Sequence, residues 1–451
     1  MSPPTKRIKP LKDVKASESK QLTSAELTKK AQESSLDRYL VDQKPTDTKE
    51  RTTSIRKKSP RKRSQRKKDP LATIRRLKHV PATTTHKLPK RDDVIIVDDL
   101  STDAVLDRLD THVDHLLTQI METGKPVFEI PSRSASNIIW DETSDILLLG
   151  KDLSKKPFHN LGSVADATRL MKVLEIIHEI LRKDIHVTKR ELFYNAVDLF
   201  HDQKNSDKAI EDASVLLRTT RNSTHIVAGA KGVAVGRIKI KDKGQVINLQ
   251  KMGSGAWNIS PFLDQIEIVE SDAEFVLVAE KEAAMIRLTE AEWWKAWPCI
   301  ILTGKGLADI ATRMFLKRIT RELGIPAFCL VDSDPYGHYI YSVYLRGSKR
   351  LSYESPFLAT PNLKLLGVLS KDLNRYNIPK LARLSMTKFD LERTDQLLKE
   401  PFVQQRKEWV KDLNLMRKTK QKAEIQALAM HGFEYMTETY LPEKLTTGDW
   451  I

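Results

Sequence analysis

Glu280 in FVLVAEKEA and the pair Asp332 and Asp334 in FCLVDSDPYG stand where apolar, β-branched runs stop and helix-like segments start. In an open α/β sheet that position is the carboxyl edge, in the crevice where ligands bind. Three nearby carboxylates repel one another unless something cationic lies among them, and hard oxygen ligands favour Mg²⁺. The plainer reading is that these acids cap helices or line a solvated loop edge.

Tyr194 is the second group that could do chemistry. It ends the run Thr188-Lys-Arg-Glu-Leu-Phe-Tyr, in which Thr188 and Glu191 have the spacing of a capping box. A helix is therefore expected from about Lys189. Arg190 then falls in the first turn, where the helix dipole disfavours a cation, and four residues before Tyr194 on the same face. An arginine held there beside a phenol suggests phosphate recognition. A phenol with its ordinary pKa of about 10 needs help to attack at neutral pH. Taken alone, a helical tyrosine is more often a packing or surface residue. Thr303-Gly-Lys-Gly306 ends the strand between the acids, and Lys305 there is a candidate backbone-phosphate contact, although a lone GKG lacks the spacing of a nucleotide P-loop. Lys231, Arg218 and Arg221 are further DNA-contact candidates.

The elements that must position these groups follow from periodicity. From Ala165 to Lys241 the pattern reads helix, helix, helix, hairpin, with SDKAIEDASVLLRTTR as third helix and HIVAGA and GVAVGRIKI surrounding a Lys231-Gly232 turn. Three helices and a β-wing make a winged helix-turn-helix, the type that lays its third helix in the major groove. From Phe275 the order is strand FVLVA, helix, strand CIILT, helix, strand AFCLV, which predicts a parallel sheet covered on both faces. The 52 residues from Glu280 to Asp332 accommodate a helix–strand–helix passage, so both sites can share one edge. KTKQKAEIQALAMHG reads as a helix near the C-terminus.

The fold class is thus mixed α/β, in four segments. Residues 1–91 are a basic tail without periodicity, too poor in apolar residues to offset the ordering entropy. Residues 92–164 hold a linker and a helix with Val105, Leu106, Leu109, Val113, Leu116, Leu117 and Ile120 at helical spacing, fit to dock a partner or its own domain. Residues 165–260 are the helical DNA-binding segment and 261–451 the sheet domain. In DDVIIVDDL, Val94–Val97 flanked by aspartates resembles a SUMO-interaction motif, the alternative being an edge strand of the chain's own core.

Charge sets the limits. The 451-residue chain carries +16, but residues 1–91 hold 27 Lys+Arg against 9 Asp+Glu, leaving 49 against 51 in the rest. DNA binding by the folded part must come from a local patch. The block Arg56–Lys68 is a nuclear import signal, a phosphate-binding arm, or both, and phosphorylation of Ser59 would weaken its phosphate attraction. The two cysteines, Cys299 and Cys329, sit in apolar runs as core thiols of a reducing compartment. No apolar run approaches the ~18 residues of a membrane span and the start is no signal peptide, so an intracellular, soluble protein is expected.

The combination resembles the A subunit of topoisomerase VI and its relatives, the meiotic double-strand-break transesterases. The matching segments run in the family's order: TKRELFYNAVDLF, AGAKGVAVG, KMGSGAW, FVLVAEKEA, ILTGKG, LVDSDPYG, YESPFLATPNLKLLG, KTKQKAEIQAL and YLPEKLTTGDWI. KMGSGAW and the C-terminus look nearer the topoisomerase branch. The resemblance implies a winged-helix domain joined to a Toprim domain, with Tyr194 as nucleophile and Arg190 as its phosphate-side partner. Glu280, Asp332 and Asp334 would be the Mg²⁺ ligands. Phe193 stands where many relatives have a second tyrosine, which leaves Tyr194 as the attacking residue. It further implies a nuclear homodimer acting on double-stranded DNA. A separate ATPase B subunit would join it in an A₂B₂ assembly that cuts through a 5′-phosphotyrosyl intermediate. A meiotic break-making role, a Toprim nuclease or primase, and a non-catalytic DNA-binding protein are the alternatives.

Overall fold

The computed structural model describes residues 69–79 and 91–451. The basic block and Ser59 lie outside them.

In chain order the elements that matter are α1 (Ala72–Arg75), α2 (Thr102–Thr123), β1 (Val127–Pro131), β2 (Ile138–Asp141), β3 (Ile146–Leu149), β4 (Leu153–Pro157) and α3 (Val164–Arg182). Then come β5 (Val187–Thr188), α4 (Lys189–Asn195), α5 (Gln203–Leu216), β6 (Ile226–Val227), β7 (Val233–Gly236), β8 (Lys239–Asp242), β9 (Gln245–Asn248), β10 (Trp257–Asn258) and β11 (Ile266–Glu270). The last group is β12 (Phe275–Ala279), α6 (Glu282–Glu290), β13 (Cys299–Thr303), α7 (Ile310–Leu323), β14 (Ala327–Leu330), α8 (Pro335–Arg346), β15 (Lys364–Gly367) and α9 (Lys407–Thr419).

A six-stranded sheet carries the fold, in the order β10-β7-β13-β12-β14-β15. Its last four strands are parallel, as βαβ passages require. The apolar runs alternate between two cores: Val276, Val278, Ile300, Leu302 and Cys329 face one, and Phe275, Leu277, Ile301, Phe328 and Leu330 the other. Helix α7 covers the first with Phe315, Leu316 and Ile319, and α6 the second with Met285 and Leu288. Both cysteines are free and buried, as expected. No helix among the described residues is long and apolar enough to cross a membrane.

Helices α3 to α5 form a separate core with α2, and four sequence readings are decided here, three of them by a change. The hairpin around Lys231-Gly232 does not form. Short β6 pairs with β5, whereas β7 pairs with β13 and β10 and so extends the large sheet. Gly236, at φ +115, then turns the chain toward β8; a Cβ there would meet the Cys299 carbonyl at 2.5 Å, so only glycine lets this backbone approach β13. The hairpin that does form is β8–β9, backed by β11. Second, α5 is no exposed third helix, because every residue from Ala209 to Leu216 is buried between α3 and β1. Third, the own-core alternative holds for Val94–Val97: Val94, Ile95 and Val97 are buried, with Val94 bridging Gly150 and Ile95 N–H donating to the Leu149 carbonyl. That pairing removes the free edge strand a SUMO-type partner would need. Fourth, KTKQKAEIQALAMHG is not one helix. α9 ends at Thr419, Lys420 takes a left-handed conformation, Ala423 bridges Ser333, and a 3₁₀ segment spans Ile425–His431.

Of the two roles considered for helix α2, packing on its own domain is the one seen. Val105, Leu109 and Leu116 pack on its own domain, while Leu117, Ile120 and Met121 in its last turns are exposed.

The tail expected to run to residue 91 is docked earlier. Residues 69–79 pack on the sheet domain through Leu71 and the fully buried Ile74, three residues apart on one turn. Arg75 and Lys78 pair with Glu274 (3.1 and 2.7 Å), and His79 N–H bonds the Gly324 carbonyl. Ile74→Ala should lower the unfolding free energy by about 2–5 kcal/mol, the usual range for a buried isoleucine truncation. Chemical denaturation checks this, and a change within about 0.5 kcal/mol, the effect of a surface substitution, would contradict the docking.

Candidate active site

The tyrosine-bearing helix starts where the capping box predicts. Thr188 Oγ1 accepts from Glu191 N–H (3.2 Å), and Glu191 Oε2 accepts from Thr188 N–H (2.5 Å). Leu192 buries into the helical core and Lys189 pairs with Asp207 of α5 (2.8 Å), which fixes the rotation of α4. The opposite face carries Arg190 and Tyr194 into solvent, and Tyr194 is 71% exposed with its ring against Phe193 (5.2 Å between centroids). Neither side chain has a hydrogen-bond or ion-pair partner among the described residues. Both are available to an outside ligand.

At the sheet edge, Ala279 and Leu330 are register partners, so Glu280 and Asp332 leave adjacent strands side by side. Glu280 Oε2 accepts from Asp332 N–H at 2.9 Å. Both carboxylates are buried. Burial, with the Asp332 charge next, pushes Glu280 up to about 7, and burial likewise raises Asp332 against the pull of Lys281. Asp334 is half-buried and caps α8, its Oδ1 accepting from Gly337 N–H at 2.6 Å. The loop after β13 wraps the same edge: Gly306 N–H and Thr303 Oγ1 both donate to the Glu280 carbonyl (2.8 and 3.3 Å).

Two residues here carried no sequence signal of their own. Lys281 Nζ lies 2.7 Å from Asp332 Oδ2 and 3.0 Å from Glu424 Oε2, so an ammonium already stands among the acids. Burial would lower the Lys281 pKa, but Asp332 and Glu424 outweigh it and raise it. Glu424 arrives because Ala423 bridges Ser333 and Ile425 N–H donates to Asp332 Oδ1 (2.9 Å).

Glu280 and Asp332 are therefore brought together, with Asp334 acting on both through its charge. Among the described residues, however, no three His, Cys, Asp or Glu side chains are gathered as a ready metal cage. One Glu280 oxygen and both Asp332 oxygens are engaged by N–H groups and Lys281. The donor chemistry nevertheless fits Mg²⁺: hard oxygens, buried, and short of positive charge. No hydrogen bond or ion pair among the described residues links Arg190 or Tyr194 to these acids.

The basic candidates divide. Exposed Lys231 donates from Nζ to the Lys305 carbonyl (3.4 Å), and Lys305 pairs with Glu282 (3.0 Å), so both lie by the loop that holds Glu280. Arg218 is exposed beside α2, its carbonyl accepting from Arg108 at 2.8 Å, and Arg221 lines a cavity between the helical unit and α7.

A titration follows from the buried Glu280. Its folded pKa of about 7 exceeds the unfolded value of about 4.3, so the folded state holds a proton the unfolded state has shed. That stabilisation is full below about pH 4.3 and is lost as pH rises through about 7. Without divalent ions, Glu280→Gln should flatten the fall in unfolding temperature between about pH 5 and 8. An identical slope in both proteins would contradict the burial.

Comparison with known proteins matches the site to a family. Residues 275–445 match the Toprim domain of the topoisomerase 6 A subunit and Spo11, and residues 166–226 match "Type IIB DNA topoisomerase". The DNA topoisomerase 6 A3 subunit of Oryza sativa subsp. indica is 46% identical over 79% of this chain and 81% of its own. The type 2 DNA topoisomerase 6 A subunit of Aeropyrum pernix is 36% identical over 74% of this chain and 92% of its own. The meiotic recombination protein SPO11 of Homo sapiens is 32% identical over 84% and 94%.

Proposed function

The chain belongs to the family of topoisomerase 6 A subunits and Spo11, and on that premise we propose that it is the DNA-cleaving A subunit of a type IIB topoisomerase. The observation that carries this reading is α4: its capping box and buried Leu192 leave Arg190 and Tyr194 unpartnered, among the described residues, on one solvent-facing side.

In the proposed reaction the Tyr194 oxygen, losing its proton, attacks a DNA phosphodiester. The new bond joins phenol oxygen and phosphorus, and the bond from phosphorus to the 3′ oxygen breaks. That oxygen leaves as a 3′-hydroxyl after taking up a proton, and the 5′ end stays on the protein. The reverse step reseals the strand without ATP, because the phosphotyrosyl ester retains the bond energy. Arg190, one turn from the phenol, orients and neutralises the attacked phosphate. Glu280, Asp332 and Asp334 would hold Mg²⁺, which when bound supplies further charge neutralisation at phosphate oxygens.

Two protomers complete two such sites, each pairing one protomer's Tyr194 with its partner's carboxylates. The absence of any link between Arg190, Tyr194 and the acids among the described residues supports that arrangement. Helices α3 to α5 act as a winged-helix-type DNA-binding unit, with α4 rather than buried α5 nearest the DNA. Lys231 and Lys305 contact the backbone near the acids, and Arg218 and Arg221 contact it farther along. Strand passage requires an ATPase B subunit in an A₂B₂ assembly, for which Leu117, Ile120 and Met121 of α2 offer an apolar docking face. The Arg56–Lys68 block directs the protein to the nucleus.

Reconstitution with B subunits on supercoiled double-stranded DNA, with ATP and Mg²⁺, tests this function. Repeated relaxation supports the topoisomerase. Single-round breaks support the meiotic role, which the SPO11 relatives favour as second reading. Mg²⁺-dependent breaks without bound protein would instead indicate a Toprim nuclease.

A further inference from the structure

A cavity of ≈ 730 Å³ opens between the amino end of α7, the helix α8 with the segment after it, and the tyrosine-bearing unit. Its charges do not cancel. Lys189 pairs with Asp207 (2.8 Å), Lys349 with Glu400 (2.6 Å) and Arg350 with Glu211 (2.8 Å). Asp309 spends its oxygens on Lys231 N–H and Thr312 N–H (2.8 and 2.7 Å). Three lining guanidiniums, of Arg221, Arg313 and Arg393, have no ion pair among the described residues.

Arg313 is the telling one. Its side chain is 3% exposed, and its Nε and one terminal nitrogen have no acceptor among the described residues. A buried guanidinium without acceptors is far costlier than a surface one. The acid nearest to it in charge, Glu354, makes no ion pair with it; its Oε1 accepts instead from Arg221 N–H (2.6 Å). Burial pushes the Glu354 carboxyl up, toward its neutral form. Arg393 is held at the mouth over the rings of Tyr336 and Tyr339 (5.4 and 4.9 Å). The 14-residue helix α7 aims its positive end at the same space.

We propose that this cavity is a phosphate-binding site in which Arg313, Arg221 and Arg393 grip a phosphoryl group at the amino end of α7. The group comes from a small phosphorylated molecule or from a DNA backbone phosphate. The cavity volume suits a small ligand, and guanidiniums match phosphate oxygens in bidentate geometry. The site stands whether or not the chain cuts DNA.

The test uses the whole protein and inorganic phosphate, with chloride at matched ionic strength as control. Calorimetry and the unfolding temperature should show saturable, phosphate-specific binding. Arg313→Gln should abolish it. Arg393→Gln, at a partly exposed position that leaves folding intact, should weaken it at least about 10-fold, as loss of one charge-assisted contact implies. Displacement of the bound phosphate by a short DNA duplex identifies the backbone as source, and retention identifies a small phosphorylated ligand. A wild-type protein without a phosphate-specific response, or an Arg393→Gln variant binding phosphate as tightly as wild type, would overturn the site.

Discussion

Tyr194→Phe should abolish covalent attachment of the protein to DNA while duplex affinity stays nearly unchanged. The substitution removes one oxygen from a side chain that is exposed and makes no hydrogen bond among the described residues. No contact of the fold depends on that oxygen, so stability should not change measurably. The chemistry depends on it wholly, because the transferred phosphate has no other acceptor on α4. Loss of a nucleophile typically lowers rates by about 10⁴-fold or more, which places the variant below detection in a denaturing trap. Retained DNA binding, read by fluorescence anisotropy, separates this outcome from unfolding. A Tyr194→Phe protein that still formed detergent-resistant adducts would remove the tyrosine from the mechanism.

Glu280→Ala should lower cleavage by about 10²–10³-fold at low Mg²⁺, the usual effect of losing one preorganised electrostatic group. Two effects combine. The acceptor for Asp332 N–H is lost, and one of the two buried, mutually repelling carboxylates at the edge is removed. Remaining Asp332 and Asp334 would still offer oxygens, so raising the Mg²⁺ concentration should recover part of the rate. Glu280→Gln keeps an acceptor for Asp332 N–H without the charge, and it should show the same displaced metal dependence with less structural disturbance. Metal-dependence curves of Glu280→Gln and wild type that superimpose would argue that Glu280 serves only to hold Asp332 in place.

The parts legible in the sequence are those governed by local rules. Thr188 and Glu191 form a short-range motif, and the helix begins at the residue they specify. Adjacent placement of Glu280 and Asp332 follows from two apolar strands separated by a passage long enough for a helix–strand–helix excursion. Long-range choices are not legible. The run Val233–Gly236 is buried on both sides, a pattern of central strands, but its neighbour across Lys231-Gly232 suggests a hairpin. Tertiary pairing with β13 wins over the local turn. The segment around Glu424 has helical composition, yet Ser333 and Asp332 recruit its backbone for hydrogen bonds that no local pattern encodes. Lys281 has no signal of its own because its role depends on Glu424 arriving there. Residues 69–79 look like tail by charge, and only the contact of Leu71 and Ile74 with a distant core shows otherwise.

The most direct test of the mechanism is the identity of the residue that carries the DNA. Cleavage with a radiolabelled duplex, trapping with denaturant, nuclease trimming and tandem mass spectrometry of the peptides would locate it. A single nucleotide remnant joined through its 5′-phosphate to Tyr194 is the expected result. A remnant on another tyrosine, above all on exposed Tyr336 beside Asp334, would contradict it.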